Sequence, residues 1–137
     1  MKAKFEIVDH YAIRLNGRHI DLHNNFDLYE VRREGEQVEM EFRKTIGEWV
    51  PDDELKGLTF IFKQVSYWHE VKGDPNALDS DKGSMADLTY SPKTDRADNA
   101  SMFFNMTPLP GDDLLFVFQD GAIIRVQCEE VEVAIGE

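Results

Sequence analysis

The chain has 137 residues, 42% hydrophobic and 31% charged, with a formal net charge of −12. That length makes one domain with room for a real core, and the 15 aromatic side chains argue against general disorder. The acidity excludes nucleic acid and anionic membrane as partners and favours basic partners or cations, although it also serves plain solubility. Residues 1–50 hold 8 basic and 10 acidic side chains, whereas residues 51–137 hold 7 and 17, so the excess lies in the second part. No apolar run is long enough to cross a membrane as a helix, and Met1–Glu6 lacks a signal-peptide core. One cysteine, Cys128, makes no internal disulfide, and a cytoplasmic location is expected.

Phe5–Val8 is the first strand candidate. Ala12–Leu15 and Arg18–Leu22 follow, joined by Asn16-Gly17, the strongest short hairpin signal. Ile13 and Leu15 share one face, as do Ile20 and Leu22. Tyr29 and Val31 then alternate with charged neighbours. The chain turns at Arg33-Glu34-Gly35-Glu36, and Val38, Met40 and Phe42 alternate with Glu39, Glu41 and Arg43. Arg32 and Arg33 are expected near glutamates across this pair. Residues 46–56 form a connection, in which Pro51 and the acids after it suit one helical turn. Leu58–Val65 is the next strand, with Leu58, Phe60 and Phe62 on one face, and Ser66–Val71 continues it after a kink or bulge.

Residues 73–100 read as a long acidic loop with a short helix around Ser84–Leu88. Strand character resumes at Ser101–Met106 and is stopped by Pro108 and Pro110. The closing stretch Asp113–Cys128 reads as a hairpin, two runs rich in apolar and β-branched residues that flank Asp120-Gly121. Beyond Cys128 the apolar parity changes, which calls for a bulge or tight turn at Glu129-Glu130. Some nine strand candidates with recurring turns predict an all-β, mainly antiparallel fold, either a sandwich or a partly closed barrel, with at most one or two short helices.

Few residue groups suggest chemistry. His19, Asp21 and His23 fall at alternate positions of a predicted strand and form a candidate metal set, although their spacing is wide for shared ligation and a wetted strand face is the simpler explanation. Asp79-Ser80-Asp81-Lys82-Gly83 resembles the start of a calcium loop, but Gly83 comes one place early and Tyr90 stands where the bidentate acid belongs. Tyr67 and Trp68 are candidate interface or pocket aromatics. His69 and Glu70 are strand neighbours that point to opposite faces, so they make no acid–base pair. Cys128, on an apolar face, reads as a buried, inert thiol. Nucleophile-elbow, Walker and dinucleotide motifs are all missing from the sequence.

The acids remain: Asp74, Asp79, Asp81, Asp87, Asp95 and Asp98 in the loop, and Asp112, Asp113 and Asp120 near the last hairpin. Clustered in space, they would speed association with a basic partner. Leu58–Val65 followed, after an acidic insert, by Leu115–Val126 resembles a pattern of small bacterial β-rich proteins, some of them similar to immunity proteins that neutralise secreted toxins. The resemblance spans Gly57 to Ile135. It implies at most an acidic binding role for the loop aspartates and carries over no catalytic residue.

The residues therefore define a fold class and no reaction. The first functional expectation is a non-enzymatic cytoplasmic binding module, of the immunity-inhibitor type, for a basic protein partner. Asp79, Asp81, Asp87, Asp112, Asp113, Tyr67 and Trp68 are its candidate contacts, and no cofactor is implied. A small-ligand or lipid-binding barrel lined by Phe60, Phe62, Trp68, Phe104 and Phe116 is the alternative, and a metal-dependent enzyme using His19, Asp21 and His23 is the third. Exposed sheet edges leave self-association open.

Overall fold

The structure, a computed structural model, describes residues 1–97 and 106–136. In chain order the strands are β1 (Lys2–Ala3), β2 (Glu6–Val8), β3 (Ala12–Leu15), β4 (Arg18–Asp21), β5 (Phe26–Glu34), β6 (Gln37–Lys44), β7 (Gly57–Val71), β8 (Met85–Ser91), β9 (Asp113–Phe118) and β10 (Ile123–Gly136). A single α-helical turn, α1 (Leu22–Asn25), joins β4 to β5, and 3₁₀ turns lie at Asp79–Asp81 and Lys93–Asp95.

The main sheet has the order β5-β6-β7-β10-β9-β8, all antiparallel. β9 pairs only with Ile123–Val126 of β10, and β1 adds in parallel farther along β10, with Ala3 opposite Val131. The sheet curls until its two ends meet. Asp27 of β5 forms a bridge with Ser84, and Leu28 N donates to Gly83 O at 2.8 Å. Of the two expected architectures, this is the partly closed barrel. The small sheet β2-β3-β4 lies over its interior, and its turn at Asn16-Gly17 takes positive φ at both residues (52° and 81°), as a two-residue hairpin requires. The Asp120-Gly121 hairpin also forms, as a longer loop in which Gly121 alone carries the positive φ of 88°.

The interior is packed. Phe60 meets Phe5, Phe42 and Phe116 edge-on at centroid distances of 5.4, 5.7 and 5.3 Å, and Phe62 meets Phe116 at 6.1 Å. Phe5, Ile7, Ile13, Leu15, Ile20 and Leu22 join the same core cluster, so both sheets share one interior. Of the aromatics expected to line a ligand lumen, Phe60, Phe62 and Phe116 are fully buried against one another, and Trp68 packs on Phe62 at 5.9 Å. Phe104 lies outside the described residues.

Three single-residue inserts re-phase the strands. Leu28 pairs with Phe42 and Glu30 with Glu41, which leaves Tyr29 as an extra residue in β5. The core face therefore passes from Phe26 and Leu28 to Val31, and Tyr29 is expelled to the surface instead of sharing a face with Val31. Ala86 is the extra residue in β8, between pairs Met85–Phe118 and Asp87–Val117. Ser66 is the extra residue in β7, where the expected bulge falls; the register shift lies opposite Gln127 and Cys128, and β10 runs unbroken through Glu129-Glu130.

β8 corrects the long-loop reading and its short helix. Met85, Leu88 and Tyr90 face the core, while Thr89 and Ser91 are buried on the other face. Neither a clean alternation nor an apolar run survives, so the strand is hidden in the sequence. Leu22 also leaves the strand expected for it, since the chain turns into α1 there. The strand expected at Ser101–Met106 lies outside the described residues, apart from Met106, which is exposed.

Candidate functional site

The seam where β5 meets the β7–β8 connection opens into a cleft of about 560 Å³. Its lining comes from α1, β5, the end of β6, the β6–β7 connection, the 3₁₀ turn at Asp79–Asp81 and the end of β9. Gly83 lets the two edges approach: its φ is 78°, and a Cβ there would stand 2.9 Å from the Leu28 carbonyl oxygen. Gln119 N donates to Ser84 O at 2.8 Å and closes the seam from the β9 side.

Three large apolar side chains stand open on this cleft. Ile46 is 100% exposed, Trp49 65% and Tyr29 56%. The bulge presents Tyr29, and the Arg43 guanidinium lies over its ring at 3.3 Å from the centroid. Arg43 Nε also donates to Glu41 at 2.7 Å. With Arg32 on its other side, Arg43 holds the Glu41 carboxyl below the usual carboxylate range. Trp49 is fixed at both ends: Nε1 donates to the Asn24 carbonyl at 2.8 Å, and the indole rests on Gly47, where a Cβ would come within 2.5 Å of the ring. Its one polar atom is thus satisfied within the fold, and what it offers outward is ring face.

Polar groups complete the lining. His23 Nδ1 hydrogen-bonds the Met85 carbonyl, and Gln119 Nε2 donates to the same carbonyl at 3.4 Å. Thr45 Oγ1 donates to Asp27 at 2.8 Å. Asp81, half-buried, has no hydrogen-bond or ion-pair partner for its carboxylate among the described residues.

The candidates named from sequence scatter. Asp81 and His23 reach the cleft. Asp79 is exposed and pairs with Lys82 at 3.5 Å, and Asp87 is half-buried on β8. Asp112 and Asp113 are corrected as surface contacts. Asp112 is buried and accepts from Leu109 N at 2.9 Å. Asp113 is fully buried and accepts from Arg125 Nε at 2.8 Å and from Arg96 Nε and Nη2 at 2.8 and 2.7 Å. Tyr67 lies beneath the Arg96 guanidinium at 3.6 Å, and Trp68 Nε1 donates to Glu70 at 2.9 Å. Asp98 lies outside the described residues.

The metal set is also corrected. The helical turn begins at Leu22, so His23 leaves the strand face that carries His19, and Asp21 caps α1 by accepting from Asn24 N at 2.9 Å. His19 packs near the Tyr11 ring, at 6.4 Å. No group of three His, Cys, Asp or Glu side chains is placed to hold a metal among the described residues. Cys128 is buried, its thiol donates to Glu130 O at 3.3 Å, and burial pushes its pKa up to about 11, which suits an inert thiol.

Tyr29, Arg43, Ile46 and Trp49 escaped the sequence reading as a site. One signal was present: Ile46 and Trp49 are large apolar residues, beside Val50 and Leu55, in a connection rich in acids and turn formers. Comparison with protein-family models, with curated proteins and with solved structures finds no match.

Proposed function

We propose that this chain is a non-enzymatic cytoplasmic binding module that docks a basic protein partner at the seam cleft, as an immunity-type inhibitor would. The observation that carries this reading is the gathering of Tyr29, Ile46 and Trp49, all exposed, on one cleft beside Arg43. Trp, Tyr and Arg dominate the energetics of protein interfaces, and large apolar groups gathered in water mark interaction sites. The net charge of −12 supports a basic partner and fast, salt-dependent association. The volume of about 560 Å³ also suits a small ligand, but a fully exposed Ile46 is better explained by a partner large enough to cover it.

The test is capture of partners from native lysate by the tagged full chain, with low- and high-salt washes and mass spectrometry. An Ile46→Asp/Trp49→Ala double variant and an Ile135→Asp control run in parallel. The expected result is a stoichiometric basic protein retained by the wild type and the control, and lost from the double variant and at high salt. Retention by the double variant, or no basic partner at low salt, would overturn the proposal.

A further inference from the structure

We infer that the cleft takes an arginine side chain of its partner, with the guanidinium on the open face of Trp49 and Asp81 as its counter-charge. This rests on the reading of the cleft as a docking surface and specifies what anchors there. Trp49 is a preset platform: its N–H is tied to the Asn24 carbonyl, its ring is backed by Gly47, and 65% of the residue is open to solvent. An indole held in this way is the strongest of the aromatic faces for a cation. The cleft already displays the chemistry once, since Arg43 lies on Tyr29 at 3.3 Å while Glu41 takes its charge at 2.7 Å. Trp49 has the ring without the guanidinium. Asp81 supplies a carboxylate with no partner among the described residues, and Asp27, held by Thr45, adds a second. Lys44 opposes the arrangement, as a lining cation with no carboxylate partner among the described residues.

The experiment is a fluorescence titration with a hexa-arginine peptide, using hexa-citrulline as its uncharged counterpart. The chain has two tryptophans, and Trp68→Phe leaves Trp49 as the reporter. If that variant does not fold, the wild-type chain read against Trp49→Phe gives the same information. Hexa-arginine is expected to give a saturable change that hexa-citrulline does not. Asp81→Asn should weaken it by about tenfold, and Lys44→Gln should strengthen it severalfold. Equal response to citrulline, indifference to Asp81→Asn, or saturation by a neutral maltohexaose in place of the arginine peptide would overturn the inference. If the captured partner still depends on Ile46 and Trp49 while arginine fails here, the docking surface stands and its anchor is something else. Arginine binding with no captured partner would separate the two in the opposite direction.

Discussion

Neutralising Asp113 should cost this fold a large part of its stability. The carboxylate is fully buried on β9 and is shared by Arg125, also fully buried, and Arg96, which follows the 3₁₀ turn after β8. In Asp113→Asn two guanidiniums lose their counter-charge. Arg125 has nowhere to go: it still donates to Ser91 Oγ at 2.9 Å and to the Pro92 carbonyl at 2.7 Å, and its Nη1 is buried with no hydrogen-bond partner among the described residues. Arg96 is partly open and can turn to water. Leaving one buried cation unpaired costs about 3–5 kcal/mol. Set against a total of roughly 10 kcal/mol for a domain of this size, the variant stays folded at room temperature with a much reduced margin. The assay is urea unfolding of wild type and Asp113→Asn with a common slope, supported by a melting temperature lower by about 10–15 °C. The Asp113→Leu/Arg125→Met pair should recover much of the loss, because it removes both the charge and its desolvation. A loss below about 1 kcal/mol for the single variant, or a double variant no better than the single, would refute the argument that this ion pair is held in a dry site.

Three further outcomes are expected. Phe116→Ala, which empties the meeting point of Phe42, Phe60 and Phe62, should cost about 3–5 kcal/mol in the same unfolding assay. Gly83→Val should loosen the seam, because a side chain at φ 78° meets the Leu28 carbonyl, and faster amide exchange at Leu28 would report it. Cys128 has its folded pKa raised by burial, from 9.0 to about 11, so the neutral thiol contributes stability that is complete below pH 9 and is lost as pH rises toward 11. Alkaline melting curves of Cys128→Ser should lack that decline, and the native wild-type thiol should resist alkylation at pH 8 until the chain is unfolded.

What could be read from the sequence was local. Asn16-Gly17 and Asp120-Gly121 mark hairpins because positive φ is a property of the turn residues themselves. Val38, Met40 and Phe42 read as a half-wet strand because nothing interrupts their alternation. β8 was hidden because it is buried on both faces and bulged at Ala86, so Asp87, Thr89 and Ser91 look like loop residues. Asp113 looked like a surface acid because the guanidiniums that justify its burial come from positions 96 and 125. The cleft depended on long-range closure: Asp27 and Ser84 meet only because a sheet of intervening strands curls. Local pattern carries no information about that meeting.

The insert at Tyr29 separates two kinds of constraint along β5. Phe26, Leu28 and Val31 answer to the interior, whereas the residue between them answers only to whatever meets the cleft. Changing position 29 therefore leaves the pairing of β5 with β6 in place, and specificity can drift there while the rest of the strand stays fixed. Deleting it is another matter. The loss of a single residue would turn either Phe26 and Leu28 or Val31 out of the interior, so recognition and folding depend on the length of this strand even where they do not depend on its letters.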